Sequence, residues 1–304
     1  MSEVVKVNDI EVEISHPDKL LFPEEEISKK DVVDYYQKIG PTLLPHIHDR
    51  PINLQRFPDG IDSQGFYQKE VPDYFPKWID RSKVEVKKEG EDQYQVTCSK
   101  TATLLYLANL GCITFHRWLS RTDKIDHPDL MIFDLDPPGN DFEPVRFAAL
   151  QLNEYLQQGN IRSFVMTTGS QGLHVLLPLD RSQPFDEVRE TAEAIAQNLA
   201  QQYPNQLTTE VRKEKREGRI FLDYLRNAYA QTAVAPYSLR ALPAAPIATP
   251  LDWDEVQDPD LHPQRYTLEN IFRRLGQKSD PWQNLQGHAQ SLQTVRKILK
   301  VIQG

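Results

Sequence analysis

The chain has 304 residues, of which 39% are hydrophobic and 26% are charged, with a formal net charge of −9 at pH 7. This composition is typical of a globular protein with a sizeable core, and no apolar run approaches the roughly 20 residues of a membrane-spanning helix. The negative balance argues against an indiscriminate nucleic-acid binder. It still permits a local basic groove, because the field depends on how the charges are distributed.

The N-terminal segment and the cysteines indicate the redox state of the thiols. The N-terminal stretch MSEVVKVNDIEVEI alternates and is charged, unlike a signal peptide. The only cysteines, Cys98 and Cys112, have no metal-binding spacing. We therefore expect reduced core thiols in a cytoplasmic protein.

Three segments show helical periodicity. In ISKKDVVDYYQKIGP, Ser28 can cap the helix with Asp31 three residues later, and we expect the helix to end at Gly40-Pro41. The segments EPVRFAALQLNEYLQQGN and PFDEVRETAEAIAQNLAQQYP each carry an apolar stripe on one face. One or two closing helices are expected within residues 265–304.

Short strand patterns lie between these helices. They are the N-terminal residues and KVEVKK, QYQVTC, LMIFDLD, SFVMTT, LHVLLPL and RIFLDYL. Because strands and helices are mixed without strict βαβ alternation, the pattern predicts an α+β fold with a largely antiparallel sheet. The proline-rich residues 236–263 predict an extended segment that wraps a core.

Two aspartates stand at the end of the apolar run in LMIFDLDPPGN. In a strand, Asp134 and Asp136 share a face while Leu135 points to the other. Like charges beside an apolar run are costly unless a cation lies between them, and Mg²⁺ or Mn²⁺ prefers such oxygen ligands. The alternative is that Asp136 only caps the turn that follows.

A third carboxylate, Asp223, occupies another apolar strand in GRIFLDYLRN. Three carboxylates from two strands can hold two metal ions, which activate an attacking oxygen and neutralise a leaving phosphate. The sequence therefore indicates phosphoryl-transfer chemistry.

Several segments have the character of phosphate-binding sites. VMTTGSQGLHVLLPL is typical of strand, glycine-rich turn and strand, so the N–H groups of Gly169 to Gly172 could form an anion nest beside His174; an ordinary hairpin turn is the alternative. VRKEKREGR places several cations just before Asp223, although a charge run is also typical of a solvated face. His116 and Arg240 have equally plain alternatives, as a core histidine and a surface arginine.

Taken together, the segments resemble one family, the polymerase domain of bacterial ligase D within the archaeo-eukaryotic primase superfamily. The resemblance covers roughly residues 12–275. The matching stretches are SHPDKLLFP, RPINLQRFPDGIDSQGFYQK, HRWLSRTDKIDHPDLMIFDLDP, TTGSQGLHVLLPL, KREGRIFLDYLRN and TAVAPYSLRALPAAPIATPLDWDE.

The resemblance implies an α+β, primase-like catalytic core with antiparallel sheets flanked by helices around a central cleft. It implies a single module over residues 1–304, with 265–304 as a C-terminal helical extension. The expected activity is addition of ribo- or deoxyribonucleotides to DNA 3′ ends at breaks and gaps in non-homologous end joining, using two Mn²⁺ or Mg²⁺ ions. The expected partners are DNA ends and gaps with a 5′-phosphate, NTP or dNTP, Ku and a separate DNA ligase, with no membrane.

The resemblance also assigns roles to individual residues. One departure from the family is Gln171, which replaces the usual lysine and predicts weaker nucleotide binding; another is Thr168, which replaces a serine and keeps the hydroxyl. The assigned residues are Asp134, Asp136 and Asp223 for metal binding and catalysis, His116, Thr168, Ser170, Gln171, His174, Arg216 and Arg240 for nucleotide binding, and Lys19, Lys29 and Phe66 for DNA binding.

Two other functions fit parts of the pattern. In a haloacid-dehalogenase-like phosphatase the first aspartate of the D-x-D pair attacks phosphorus, but here Pro137 follows and the pair lies at mid-chain. In a non-catalytic DNA-end-binding scaffold the fold would persist without chemistry. The complete set of aspartates argues against the scaffold, whereas Gln171 argues for it.

Overall fold

The computed structural model describes residues 2–85, 92–139 and 141–301. Its strands are β1 (Ser2–Val7), β2 (Ile10–Ser15), β3 (Leu20–Phe22), β4 (Ile27–Ser28), β5 (Ile52–Arg56), β6 (Phe66–Gln68), β7 (Arg81–Glu85), β8 (Asp92–Val96), β9 (Cys112–Trp118), β10 (Leu130–Asp136), β11 (Phe164–Thr167), β12 (Leu173–Pro178), β13 (Leu207–Thr208), β14 (Ile220–Asp223), β15 (Thr232–Val234) and β16 (Thr249–Leu251). Its helices are α1 (Lys29–Ile47), α2 (Thr101–Asn109), α3 (Glu143–Gln158), α4 (Phe185–Gln202), α5 (Trp253–Val256), α6 (Ile271–Gln277), α7 (Leu292–Arg296) and α8 (Ile298–Val301).

The chain divides into two compact units, each with its own six-stranded sheet. The division leaves the single-module organisation over residues 1–304 a prediction. The first unit comprises Met1–Trp118, Thr232–Ala248 and Thr267–Phe272, and the second comprises Leu119–Gln231, Thr249–Tyr266 and Arg273–Gly304.

In the first unit, the sheet has the order β15-β9-β5-β8-β7, and β6 pairs with β5. All of these pairings are antiparallel. Helices α1 and α2 pack against each other. Cys98 and Cys112 are buried and unpaired in this unit, as predicted, and burial raises the pKa of the Cys98 thiol to about 12.

Helix α1 begins as predicted but does not end where the sequence suggested. Ser28 and Asp31 form a reciprocal capping box. The helix then runs through Gly40 and Pro41, so the expected end at this pair was wrong. A proline inside a helix removes one hydrogen bond and costs about 3 kcal/mol. Burial of the apolar side chains beyond it, such as Leu43, offsets that cost.

In the second unit, the sheet has the order β13-β14-β10-β12-β11-β16, and only the β13–β14 pairing is parallel. Met131, Phe133 and Leu135 of β10 join a buried cluster to which α3 and α4 also contribute. The alternate residues of β10 face the other side of the sheet. The predicted α+β class and the largely antiparallel sheets are confirmed.

The remaining predicted elements are largely confirmed. The segments expected to be strands all contain strands, although residues 86–88 of KVEVKK lie outside the described residues. Residues 236–263 are mostly irregular, with only β16 and α5. The closing segment holds three short helices, α6 to α8, where one or two were expected. Within the described residues, none of the helices combines the length and apolar character that crossing a bilayer requires.

Candidate active site

Adjacent strands β10 and β14 bring three aspartates to one face of the second sheet. Asp134 lies directly opposite Asp223 in the antiparallel register, and Asp136 lies two residues further along β10 on the same face. Asp134 is only 5% exposed, whereas Asp136, at the end of its strand, is exposed as a residue although the surrounding protein partly desolvates its carboxyl group. The face of the sheet that the three aspartates share therefore carries a concentration of negative charge.

The carboxylate of Asp134 is held by two basic side chains. Nε of Arg226 donates to its Oδ2, and Nε2 of His174 lies 3.2 Å from its Oδ1. Burial opposes ionisation of Asp134, but His174 and Arg226 overcome it and hold the pKa of this carboxyl well below its usual range. Both oxygens of Asp134 are thus engaged and the group is ionised.

The other two carboxyl groups are pushed in the opposite direction. Burial and the charge of Asp134 raise the pKa of Asp136 to about 6. Burial also raises the pKa of Asp223, with a further contribution from Asp134, although Asp223 Oδ1 accepts a 2.8 Å hydrogen bond from the Leu225 N–H. Burial is thus the larger cause of both raised pKa values, and the negative charge of Asp134 adds to it.

The donor chemistry of this face fits a divalent metal. Carboxylate oxygens are the ligands that Mg²⁺ and Mn²⁺ prefer, and a cation would relieve the repulsion that raises the pKa of Asp136 and Asp223. In the described parts of the chain, no three His, Cys, Asp or Glu side chains are arranged as a ready metal cluster. Both oxygens of Asp134 already have partners in Arg226 and His174, so a metal ion would have to share or replace these contacts.

The turn between β11 and β12 is organised by one hydroxyl. Oγ1 of Thr168 accepts hydrogen bonds from the N–H groups of Ser170 (3.3 Å) and Gly172 (3.1 Å). These two N–H groups are therefore satisfied as in an ordinary hairpin turn. Within the described residues, the N–H groups of Gly169 and Gln171 have no protein partner, so only part of the expected anion nest remains available. The side chain of Gln171 is exposed.

Gly172 lies against the acidic strand. A Cβ atom at this position would lie 2.0 Å from the carbonyl oxygen of Leu135 and 2.4 Å from Oδ1 of Asp136. Only glycine allows the turn to approach β10 this closely. The last glycine of the T-G-S-Q-G turn is therefore required by the packing of the acidic strand.

Arg216 is folded back onto its own loop. Its Nε and Nη2 donate to the carbonyl oxygens of Glu210 (3.0 Å) and Val211 (2.8 Å), and its guanidinium lies 4.2 Å from the centroid of the Phe221 ring. Its positive charge nevertheless offsets part of the rise in the pKa of Asp223. Arg216 thus lies near the acidic face, and its predicted role in nucleotide binding stays a prediction.

Sequence reasoning missed two residues that organise this face. Arg226 and Asn227 follow β14 in the turn DYLRN. The side chain of Asn227 accepts from the Ile132 N–H (2.8 Å) and donates to the carbonyl oxygens of Ile132 (2.7 Å) and Tyr224 (2.9 Å). It therefore continues the pairing with β10 after β14 has ended, and it fixes the turn that carries Arg226. The only available signal was a polar pair directly after an aspartate-bearing strand.

The two predicted DNA-binding lysines lie together in the first unit. The Lys29 N–H donates to the Lys19 carbonyl oxygen at 2.8 Å. Lys19 Nζ lies 2.6 Å from Oδ1 of Asp59, and Lys29 Nζ donates to the carbonyl oxygen of Ser15 at 2.7 Å. Burial and the neighbouring Lys19 lower the pKa of Lys29. Each ammonium group thus has an internal acceptor.

His116, Phe66 and Arg240 also belong to the first unit. His116 lies on β9, and the Tyr67 ring meets its ring edge-on at 5.6 Å. Tyr67 and Phe66 are consecutive in β6, so their side chains point to opposite faces. The structure therefore places Tyr67, which the sequence did not single out, against His116. The Arg240 N–H donates to the Pro246 carbonyl oxygen at 2.8 Å. The functions of these residues stay predictions.

Comparison with known families and structures accounts for this arrangement. The family model for the LigD primase-polymerase domain matches residues 28–282. The chain belongs to the LigD primase-polymerase domain family. The resemblance drawn from the sequence is thereby confirmed.

Relatives of this LigD-type domain are longer proteins. This chain is 30% identical over 272 residues to the multifunctional non-homologous end joining protein LigD of Mycolicibacterium smegmatis. The match covers 88% of this chain and 35% of that protein. It is 30% identical over 267 residues to the bifunctional non-homologous end joining protein LigD of Bacillus subtilis, covering 87% of this chain and 42% of that protein. The chain thus spans well under half the length of these relatives.

A solved structure shares the fold. The polymerase domain of Mycobacterium tuberculosis ligase D in complex with DNA superposes with a TM-score of 0.85 and 26% sequence identity. The match covers 92% of this chain and 99% of that domain. The antiparallel sheets and flanking helices are therefore those of the LigD polymerase domain.

A first prediction concerns the glycine beside the acidic strand of this LigD-type domain. We expect Gly172→Ala to lower the free energy of unfolding by about 1–3 kcal/mol, the usual cost of overpacking, because the new Cβ collides with the backbone of β10. Urea denaturation measures the change. The control is Gly139→Ala, where a Cβ meets nothing within 4 Å. Equal stability of the two variants would contradict the close approach at Gly172.

A second prediction concerns the charge at Asp136. Its folded pKa of about 6 exceeds the unfolded value near 3.9, so the folded state loses stability as the pH rises from about 4 through 6. Without metal, Asp136→Asn should raise the Tm at pH 7.5 by roughly 2 °C, as expected for about 1 kcal/mol, and should have no effect near pH 4.

Thermal melts in EDTA and in MnCl₂ test this second prediction. Mn²⁺ should stabilise the wild type by binding the folded state, and the asparagine variant should gain less. Asp62→Asn, an exposed aspartate of the first unit, is the control and should behave as wild type. A lower metal-free Tm for Asp136→Asn at pH 7.5 would contradict the electrostatic account.

Proposed function

We propose that this chain is a metal-dependent primase-polymerase that adds ribo- or deoxyribonucleotides to DNA 3′ ends at breaks and gaps. The observation that carries the proposal is the acidic face, where Asp134 and Asp223 lie opposite each other on paired strands with Asp136 beside them. Membership of the LigD primase-polymerase domain family supports the same chemistry.

The three aspartates would hold two Mn²⁺ or Mg²⁺ ions. Such ions, when bound, activate the attacking 3′-hydroxyl and neutralise charge on the transferred phosphate. The protein contributes a rigid carboxylate face on two strands. Arg226 and His174 keep Asp134 ionised at neutral pH, so that its oxygens are acceptors and carry no proton.

Nucleotide binding is proposed for the turn after β11 and for nearby basic residues. The N–H groups of Gly169 and Gln171 can donate to a phosphate oxygen, and Thr168 and Ser170 fix the turn through their hydroxyl groups. Arg216 supplies a cation near Asp223. The family resemblance adds His174, His116 and Arg240 to this group.

The absence of a lysine at the turn should weaken nucleotide binding. A glutamine at position 171 can donate a hydrogen bond but adds no charge, and charge-assisted bonds are about twice as strong as neutral ones. We therefore propose that Arg216 and Arg240 carry more of the triphosphate binding in this chain.

DNA contacts are proposed for the first unit. Lys19 and Lys29 are proposed to bind the 5′-phosphate at the far side of a gap, and Phe66 to stack near the template base, both on the strength of the family resemblance. Because Tyr67 meets His116 directly, we add Tyr67 to the residues proposed to contact the nucleotide or its template partner.

The proposed pathway is non-homologous end joining, which the names of the LigD relatives state for those proteins. Ku and a separate DNA ligase are the proposed partners. A dehalogenase-like phosphatase is not favoured, because β10 lies between antiparallel neighbours in a fold matched to a polymerase domain. A non-catalytic scaffold is not favoured either, because all three aspartates are present on one face.

The direct test is nucleotide incorporation. Purified protein is incubated with a gapped, 5′-phosphorylated duplex, MnCl₂ and labelled nucleotide. We expect extension by the wild type and only background signal with Asp223→Asn, because the isosteric amide keeps the shape but removes the charge. Arg189→Gln, on the opposite side of the sheet in α4, is a charge-loss control. Release of free phosphate, or DNA binding without extension, would contradict the proposal.

A further prediction concerns the downstream phosphate. Lys19→Ala should reduce binding to a gapped duplex with a 5′-phosphate by roughly tenfold, since hydrogen bonds to charged groups contribute about 1.5–3 kcal/mol. It should leave binding to the unphosphorylated gap nearly unchanged. Lys30→Ala is the matched control, because Lys30 is adjacent to Lys29 in the sequence and pairs with Glu3 instead. An equal loss of affinity for the two DNA molecules would contradict a contact between Lys19 and the 5′-phosphate.

A further inference from the structure

Exposed aromatic side chains are concentrated in the first unit. Seven large hydrophobic side chains are strongly exposed among the described residues, and four of them are the aromatic residues Phe66, Tyr67, Tyr74 and Tyr94. Tyr74 is the most exposed of these four, at 62%. Clustered exposed apolar surface usually marks a binding site, so these rings require an explanation.

Arg56 joins two of these rings. Its Nε and Nη2 donate to the Leu110 carbonyl oxygen at 3.0 and 2.9 Å. Its guanidinium carbon lies 5.2 Å from the centroid of the Phe66 ring, and its Nη1 lies 3.4 Å from the Tyr74 hydroxyl oxygen. The guanidinium group of Arg56 is thus held by a backbone carbonyl oxygen and lies next to two exposed aromatic rings.

The aromatic contacts continue beyond Tyr74. Its ring meets Phe75 edge-on at 5.2 Å, Phe75 meets Tyr106 at 5.3 Å, and Tyr106 meets Trp78 at 5.9 Å. Phe75 is buried and anchors the series in the core. We call this surface the aromatic strip, defined by Arg56, Phe66, Tyr74, Phe75, Trp78 and Tyr106.

The aromatic strip lies on the side of the sheet away from His116. Arg56 and Phe66 are direct partners in the β5–β6 pairing, so their side chains share one face. Tyr67 points to the opposite face, where its ring meets His116. The strip is therefore separate from the nucleotide contacts proposed for His116.

We propose that the aromatic strip binds unpaired nucleotides of a single-stranded DNA overhang by base stacking, with Tyr74 as a principal stacking ring. Aromatic rings in series with an arginine are the usual elements of a single-strand platform. The strip includes Phe66, for which a DNA contact is already proposed. The inference thus rests on the proposed function, and it adds an overhang-binding surface to it.

Local charge indicates that stacking dominates over phosphate binding. The exposed cations beside the strip, Lys69 and Lys77, are matched by the exposed carboxylates Glu70 and Asp73. Binding through phosphates falls steeply with salt, whereas stacking does not. Affinity for the overhang that depends on Tyr74 should therefore persist at raised ionic strength.

The test uses a duplex with a short 3′ overhang that contains 2-aminopurine, whose fluorescence is quenched by stacking. We expect Tyr74→Ala to weaken binding roughly tenfold and to reverse much of the quenching, since removal of one stacking ring has an effect of about this size. Tyr74→Phe, which keeps the ring, should bind within about twofold of the wild type. Tyr94→Ala is the matched control, an exposed tyrosine of the same unit outside the strip.

The outcomes separate this inference from the proposed function. Tyr74→Ala should extend a gapped duplex without an overhang as well as the wild type does. Unchanged affinity and quenching in Tyr74→Ala would overturn the strip, even with full extension activity; this result would instead suit a protein-docking surface. A wild type that stacks the overhang but extends no DNA would support the strip and contradict the polymerase.

Discussion

The ionised carboxylate of Asp134 is the constraint on which the second unit depends. A charge that is 5% exposed is tolerated only when partners compensate it. One partner, His174, comes from β12 and the other, Arg226, from the turn after β14, so the strand order β14-β10-β12 is what brings them together. Loss of one partner of a buried pair typically costs about 3–5 kcal/mol. The order of the strands in the sheet therefore determines whether Asp134 can be ionised.

The basic residues proposed for phosphate binding share a second property. For three of these residues the property is an acceptor within the protein: Lys19 has Asp59, Lys29 has the Ser15 carbonyl oxygen, and Arg216 has two loop carbonyl oxygens. A phosphate must exchange with these acceptors. The exchange reduces the net gain in affinity, and it limits non-specific attraction of nucleic acid by a chain with a net charge of −9.

Local patterns predicted much of the fold and the acidic residues. The two-residue period placed Asp134 and Asp136 on one face, and the apolar run of β14 identified Asp223 as unusual. The predicted end of α1 was wrong because burial of the apolar side chains beyond Pro41 outweighed the cost of a proline inside the helix. Asn227 pairs with Ile132 of β10, 95 residues earlier in the chain, and Arg226 pairs with Asp134, 92 residues earlier. Both were missed because no local pattern exists for such contacts. The position of Tyr67 likewise depends on its register with β5.

The contact at Gly172 also limits how this family member can evolve. Every other amino acid carries a Cβ atom, so no amino-acid substitution at this position preserves the approach of the turn to Leu135 and Asp136. Thr168, by contrast, holds the turn through its hydroxyl, which a serine also carries. The exposed residue between them, 171, is subject to neither constraint, so the turn should tolerate sequence variation at position 171 and exclude it at position 172.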